Sequence, residues 1–155
     1  MGQKNITINK KIYHNFEILE NYEAGIELKG SEVKSLRDGE VDIKDAFCII
    51  EKGEVWLLNC NITKYEKTTY DKLDPLRKRR LLLHKNEIKK VYGKLTQKGL
   101  VLKPLRMYFN ERGLVKVEIV LCKYKKVYDR REEIKEREVN RDIERYKKGN
   151  VKSFE

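Results

Sequence analysis

The sequence predicts a mainly β fold: a small antiparallel OB-like β-barrel with two or three short helices and a basic, helix-prone C-terminal tail. Short segments of alternating apolar and polar residues recur between residues 16 and 122, which is the pattern of half-buried strands. Two stretches instead repeat apolar residues every three or four positions, as a helix requires. From residue 129 to residue 148, 15 of 20 residues are charged, so this segment is predicted to lie outside the barrel.

Alternation along the chain predicts six or seven short strands. Phe16 and Ile18 flank Glu17, and the alternation resumes after Gly25, where a glycine favours a bulge or a kink. Further strands are expected at 41–43, 46–51, 55–62, 100–109 and 114–122, with turns at 52–53 and 110–113. This number of strands favours a closed barrel, because closure leaves no exposed sheet edge.

Two helices are predicted from caps and from apolar spacing. Ser31 is a candidate N-cap with Glu32 in the first turn, and Gly39 stands where a helix would end, which predicts a helix over 32–38. A second helix is predicted from apolar residues at positions i, i+3, i+4 and i+7 before Gly99, namely Ile88, Val91, Tyr92 and Leu95.

Composition divides the chain into three parts. Residues 1–14 are polar and basic and are expected to form an N-terminal arm, and residues 15–122 form the barrel domain. Residues 123–155 form a tail with too little apolar surface to offset an ordering entropy of about 1 to 2 kcal/mol per residue. We therefore expect the tail to be disordered in the free protein, although it contains helix-forming residues.

The charge of the chain indicates the class of its partner. The formal net charge is +11, which favours a polyanion and most often a nucleic acid. No apolar run approaches the roughly 18 residues of a membrane-spanning helix, and the first residues lack the apolar core of a signal peptide. The sequence therefore predicts a cytoplasmic protein with no membrane partner.

Metal, cofactor and catalytic chemistry are not indicated by the sequence. His14 and His84 lie far from each other and from the cysteines, so the spacing that metal ligands need is lacking. No nucleophile with a base, carboxylate pair or phosphate-binding glycine loop is found, which predicts a protein that is not an enzyme and takes no cofactor or small-molecule substrate. The cysteines are expected to be buried thiols of a reducing compartment: Cys48, Cys60 and Cys122.

Three basic segments are candidate contacts for a nucleic acid. Lys34 and Arg37 share one side of the predicted helix 32–38, although a solvated helix face is the commoner explanation of that pattern. The cluster 77–80 follows a long loop with two tyrosines, and basic side chains beside aromatic rings suit recognition of RNA by stacking and phosphate contacts; these tyrosines are Tyr65 and Tyr70. The tail is the third segment, and composition alone equally allows a solubilising extension.

Six blocks of residues, in this order and spacing, go beyond composition. They are Asn9-Lys10-Lys11, Tyr22-Glu23-Ala24-Gly25-Ile26, Gly30-Ser31-Glu32-Val33-Lys34-Ser35-Leu36-Arg37, Asp74-Pro75-Leu76-Arg77 with Arg80-Leu81-Leu82-Leu83-His84, Gly99-Leu100 with Pro104-Leu105, and Tyr128-Asp129-Arg130-Arg131 with Ile134-Lys135-Glu136-Arg137. Together they resemble the SsrA-binding protein (small protein B) family over nearly the whole chain.

The resemblance implies an RNA-binding adaptor for trans-translation. In such proteins the barrel binds the tRNA-like domain of transfer-messenger RNA and delivers this RNA to stalled ribosomes, and elongation factor Tu is reached indirectly through the RNA. The residues implied at or near the RNA are Asn9, Glu23, Ala24, Gly25, Arg77, Arg79, Arg80 and Leu82. The predicted interface adds Lys10, Lys11, His14, Lys34, Arg37, Lys125 and Lys126. A carboxylate such as that of Glu23 would accept hydrogen bonds from a base edge or a ribose hydroxyl and so supply specificity.

The resemblance also implies a role for the tail on the ribosome. The tail would become a helix along the messenger path of the small subunit, with Tyr128 stacked on a ribosomal RNA base. The residues implied to contact the decoding centre and its surroundings are Tyr128, Asp129, Arg130, Arg131, Ile134, Lys135 and Arg137. Tyr124 stands where the family commonly has a hinge glycine, and Arg130 stands where lysine is frequent.

Two other functions remain as alternatives at this point. A general OB-type binder of single-stranded RNA would need only the barrel, the loop tyrosines and the basic cluster. A ribonuclease would need clustered aspartates, and the nearest approach to such a cluster, Asp42 and Asp45, has the character of turn residues.

Overall fold

The computed structural model describes residues 3–64, 73–125 and 137–146. Its strands are β1 (Lys4–Ile8), β2 (Phe16–Ile26), β3 (Val41–Asp42), β4 (Phe47–Glu51), β5 (Glu54–Leu58), β6 (Asn61–Ile62), β7 (Arg79–Leu82), β8 (Leu100–Phe109) and β9 (Val115–Tyr124). Its helices are α1 (Lys11–Asn15), α2 (Gly30–Arg37), α3 (Lys85–Leu95) and α4, which spans residues 137–146. The mainly β class is confirmed, with four short helices in the described residues where two or three were predicted.

Six strands close the barrel in the order β8–β4–β5–β7–β2–β9, and β9 returns to β8. All of these pairings are antiparallel, which confirms the predicted OB-like architecture. β1 adds to the same sheet by pairing with the second half of β8, and β3 pairs with β6 in a separate two-stranded sheet. Closure satisfies the backbone groups of edges that an open sheet would expose.

β2 is one continuous strand of 11 residues whose irregularity lies earlier than predicted. Its register against β9 shifts between Ile18 and Glu20, whereas Gly25 pairs regularly with Leu82 on one side and Lys116 on the other. The bulge expected at the glycine was therefore wrong. The glycine has a different use, because a Cβ built there would lie 3.4 Å from the Leu82 Cβ.

Two helices confirm their predictions with small changes of boundary. α2 begins at Gly30 rather than after Ser31, and the Glu32 carboxylate accepts a hydrogen bond from the Lys29 amide at 2.8 Å. Gly39 follows the helix with a φ of +74°, a conformation that favours glycine. α3 has His84 as its N-cap residue, so this histidine has a structural position at the start of a helix.

The apolar residues form two clusters, one inside the barrel and one on its outer side. β4 contributes to both, because Cys48 and Ile50 pack into the inner cluster while Phe47 and Ile49 pack into the outer one. α3 packs its apolar face against the inner cluster, and α1 packs Ile12 into the outer cluster. Both sides of β4 are therefore buried, which explains why its sequence is apolar rather than alternating.

The predicted N-terminal arm is part of the fold. Residues 4–8 form β1 on β8, and Ile12 of α1 is only 1% exposed. The residues predicted as an N-terminal arm thus include a strand, because the alternating Ile6 and Ile8 belong to β1, whose partner lies about a hundred residues away along the chain. β9 likewise runs to Tyr124, whose ring packs on Phe16 at a centroid distance of 4.5 Å, so the barrel includes two residues that were assigned to the tail.

Part of the predicted tail packs against the barrel. Ile143 of α4 is 2% exposed and packs into the outer cluster, with Val139 beside it. The Tyr146 ring lies 6.4 Å from that of Phe47. Positions i, i+4 and i+7 of this helix form an apolar face that packs on the barrel. Disorder of the free tail stays a prediction.

Candidate nucleic-acid interface

The basic cluster after the long loop is organised by a buried carboxylate on α2. Glu32 is 5% exposed, and its Oε2 accepts hydrogen bonds from Arg79 Nε at 2.7 Å and Arg77 Nε at 3.0 Å. Burial alone would raise the pKa of the Glu32 carboxyl, but the hydrogen bonds from Arg77, the Lys29 amide and Arg79 hold this pKa below its ordinary value. Two arginines and a helix N-terminus are thereby tied together.

Arg79 lies in the interior and does not present its side chain to an RNA. The residue is 0% exposed, and its guanidinium donates to the carbonyls of Cys60 at 2.7 Å and Pro75 at 2.9 Å in addition to Glu32. Alternation along β7 places Arg79 and Leu81 inward and Arg80 and Leu82 outward. The prediction of Arg79 as a direct RNA contact is therefore corrected to a structural role.

The outward residues of β7 and the neighbouring part of β2 form one surface. Arg80 is 35% exposed and donates to the Glu54 carboxylate at 2.8 Å and to that of Glu27. Leu82 is 46% exposed beside Gly25. Arg77, two residues before β7 begins, is partly exposed. Gly25 belongs to a different block of the sequence from Arg77, Arg80 and Leu82, and the β2–β7 pairing brings the two blocks together.

Glu23 and Ala24 of β2 have opposite positions. The Glu23 side chain is exposed, and its Oε2 accepts a hydrogen bond from the Tyr108 hydroxyl of β8. Ala24 is 0% exposed in the inner cluster, so its side chain is not a contact surface. This second correction follows from the same alternation, since adjacent strand residues face opposite sides.

A second group of predicted residues lies around α1. Lys10, Lys11 and His14 are exposed. Lys125, at the end of the barrel, donates from Nζ to the Tyr13 carbonyl at 3.1 Å and from its amide to the Asn15 carbonyl at 2.9 Å. These two hydrogen bonds connect Lys125, at the start of the predicted tail, to α1. Tyr13, which sequence reasoning missed, is 57% exposed among these residues.

Four other predicted contacts differ in exposure. Asn9 is 6% exposed, and its Nδ2 donates to the Lys44 carbonyl at 3.3 Å, so its side chain mainly supports the fold. Lys34 and Arg37 are exposed on α2, as their helical spacing predicted. Arg137, the first described residue of α4, is exposed. The following candidates lie outside the described residues: Lys126, Tyr128, Asp129, Arg130, Arg131, Ile134 and Lys135, and with them the loop tyrosines Tyr65 and Tyr70.

The cysteines are buried and are not paired with one another. Burial raises the pKa of Cys60 to about 12, and burial raises the pKa of Cys48 still further. Within residues 3–64, 73–125 and 137–146, no group of three histidine, cysteine or acidic residues is arranged to hold a metal ion. In the same residues, none of the helices has the length and apolar character needed to cross a membrane.

The closed barrel, with exposed basic residues on α1, α2 and β7, defines a basic protein of the OB-like class. Comparison with known proteins identifies a family within this class. The family model described as SmpB protein matches residues 6–149. The chain therefore belongs to the SmpB protein family.

Individual relatives agree with the family over almost their full length. The chain is 55% identical to the SsrA-binding protein of Thermosipho africanus over 147 residues, which cover 95% of this chain and 99% of the relative. It is 53% identical to the SsrA-binding protein of Thermus thermophilus over 136 residues, which cover 88% and 94% of the two chains. A chain from a solved structure described as tmRNA-SmpB on a journey to the center of the bacterial ribosome is 50% identical, with a TM-score of 0.66 and coverage of 91% of this chain and 95% of that chain.

Proposed function

We propose that this protein is an RNA-binding adaptor that binds the tRNA-like domain of transfer-messenger RNA and delivers it to stalled ribosomes for trans-translation. The observation that carries the proposal is the similarity over nearly the full length to SsrA-binding proteins, at 55% identity to one of them. The solved neighbour, a tmRNA-SmpB structure of the bacterial ribosome, supports the same partners. The protein would accordingly act in the cytoplasm, where these partners are.

The surface of the barrel fits this role chemically. A net charge of +11 supplies attraction to phosphate, and the exposed basic residues of α1 and α2 place part of that charge on the barrel. Glu23 and Leu82 are exposed on the neighbouring strands β2 and β7, so this surface offers acceptor and apolar contacts that distinguish one RNA from another. The protein would work by binding alone, without a catalytic step.

The tail would act on the ribosome after the barrel has bound the RNA. Asp129, Arg130 and Arg131 would contact the decoding centre, and Tyr128 would stack on an exposed base. Replacing those three charged residues with alanine should abolish rescue of stalled ribosomes while leaving affinity for transfer-messenger RNA within about twofold. A matched charge control replaces Asp45, Lys52 and Lys98, which are exposed on the barrel.

The decisive experiment compares two RNAs and one substitution. Purified protein is titrated against transfer-messenger RNA and against an unstructured RNA of equal length at near-physiological salt, with Glu23→Ala beside the wild type. We expect a large preference for transfer-messenger RNA, reduced about tenfold or more by Glu23→Ala because a charged hydrogen-bond acceptor is lost. Equal affinity for both RNAs would instead identify a general single-strand binder.

A further inference from the structure

We propose that Tyr108 is a positioning residue of the RNA interface, because its hydroxyl holds the Glu23 carboxylate in the orientation that accepts hydrogen bonds from the RNA. The inference rests on the proposed function and extends it to a residue of β8 that does not itself touch the ligand. Tyr108 and Glu23 belong to strands that do not pair with each other, since β9 lies between them.

The contact is a single hydrogen bond from a buried side chain to an exposed one. Tyr108 is 1% exposed, and its hydroxyl donates to Glu23 Oε2. Among the residues that the structure describes, this hydroxyl is the only group that donates to the Glu23 carboxylate, and Oε1 accepts no hydrogen bond from them. One carboxylate oxygen is thus fixed by the protein while the other remains available to a ligand.

Tyr108 is held firmly enough to act as a fixed donor. The Arg106 guanidinium lies 4.1 Å from the centre of the Tyr108 ring. Arg106 is itself held by Glu118, Asn5 and Gln3, at 2.6, 2.8 and 3.0 Å. Burial and then the contact with Glu23 raise the pKa of the Tyr108 hydroxyl, so it stays protonated and donating at any pH at which the protein works.

The neighbouring carboxylate shows why Glu23 is the available acceptor. Glu23 pairs directly with Glu118 across β2 and β9. Both oxygens of Glu118 are occupied, one by Arg106 Nε at 2.6 Å and the other by Asn21 Nδ2 at 2.6 Å. Glu118 is therefore paired with an arginine of the protein, whereas the donor that contacts Glu23 is an uncharged hydroxyl.

A carboxylate with one oxygen open to a ligand selects the groups that it will accept. Near phosphate it is repelled, so an RNA that brings only backbone to this position loses affinity. An RNA that brings a base amino or imino group, or a ribose hydroxyl, satisfies Glu23 and gains a charge-assisted hydrogen bond. Fixing the carboxylate by Tyr108 limits the loss of side-chain entropy on binding and sharpens this selection.

The test is a double-mutant cycle on affinity for transfer-messenger RNA, with the unstructured RNA as the non-specific reference. The variants are Tyr108→Phe, Glu23→Ala and the two combined, and thermal unfolding is recorded for each. Tyr22→Phe is the matched control. Tyr22 directly precedes Glu23 on β2, and its hydroxyl likewise donates to a carboxylate, that of Glu20. We expect Tyr108→Phe to weaken specific binding about fivefold to tenfold, Tyr22→Phe less than twofold, and neither to change non-specific binding.

The cycle separates this inference from the proposed function. In the Glu23→Ala background, Tyr108→Phe should have almost no further effect, because there is no carboxylate left to position. An equal loss in both backgrounds would assign Tyr108 a purely structural role and overturn the inference. If Glu23→Ala weakens specific binding while Tyr108→Phe does not, the inference is again wrong although the RNA interface stands. If Glu23→Ala itself has no effect, the site assignment on which the inference rests fails.

Discussion

Arg79 Nε lies 2.7 Å from Glu32 Oε2, and both residues are almost completely buried between α2 and the barrel wall. An arginine that the basic pattern assigned to an RNA surface therefore neutralises a carboxylate of the protein. Arg77, which shares the same carboxylate, remains partly exposed. The pair fixes where α2 and β7 stand relative to each other, and so where the exposed residues of both are presented.

Removing the shared carboxylate should destabilise the protein strongly. We expect Glu32→Ala to lower the free energy of unfolding by about 3 to 5 kcal/mol, because the buried Arg79 charge loses its partner. Urea unfolding measures this loss. The control is Glu51→Ala, which removes the more exposed pair with Lys78 at 3.3 Å and should cost about 1 kcal/mol or less. A loss for Glu32→Ala no larger than that of the control would contradict a structural role for the pair.

Acid should remove the same stabilisation. The folded-state pKa of Glu32 is lowered from its ordinary value of 4.5, so the folded protein binds fewer protons than the unfolded chain near that pH. The contribution is present above about pH 4.5 and is lost as the pH falls through the folded-state pKa. Urea midpoints of the wild type and Glu32→Gln should therefore converge on acidification. A difference that stayed constant with pH would show that Glu32 does not carry this dependence.

The alternation of apolar and polar residues predicted the barrel, and the same alternation holds in the basic cluster. β5 follows the period of two, with Val55 and Leu57 buried, and α3 follows its apolar spacing. In β7, Leu81 faces inward, so Arg79, two residues earlier, faces inward as well. Its burial could have been predicted from that spacing. The carboxylate that neutralises it could not, because Glu32 is 47 residues away along the chain.

Long-range partners also explain why composition does not show how β1 and α4 pack on the barrel. The few apolar residues of β1 and α4 are too sparse to order a segment alone, and this is what composition measures. Both segments are ordered by surfaces built from distant residues: β8 supplies a strand edge to β1, and the outer cluster supplies an apolar face to Ile143. Neither surface is visible until the barrel has been assembled.

The cysteines should resist modification while the protein is folded. All three are buried, which limits access of a reagent, and burial raises the pKa of Cys60 to about 12 and also raises that of Cys48, so these two thiols form almost no thiolate near neutral pH. We expect the native protein at about pH 8 to react with none of its three thiols over a time in which the urea-unfolded protein reacts with all of them. A thiol-reactive chromophore counts the reacted groups. Rapid labelling of even one native thiol would show that its strand opens readily.

Added salt should weaken RNA binding by screening Lys10 and Lys11, which lie at the start of α1. Each neutralised phosphate contributes about 0.7 to 0.9 to the slope of log affinity against log salt, so replacing both Lys10 and Lys11 with alanine should reduce that slope by about 1.5. The matched control replaces Lys52 and Lys98, which are exposed in turns. Affinity is titrated at several salt concentrations for the three proteins. Equal slopes for the wild type and the α1 variant would remove this helix from the interface.

Docking of α4 on the barrel should depend on one side chain. Ile143 is 2% exposed in the outer cluster, whereas Arg141 is exposed on the same helix. Ile143→Ser should speed hydrogen exchange of the α4 amides roughly tenfold or more, and Arg141→Ser, which introduces the same residue, should change it little. Unchanged exchange in Ile143→Ser would show that the apolar contact does not hold the helix.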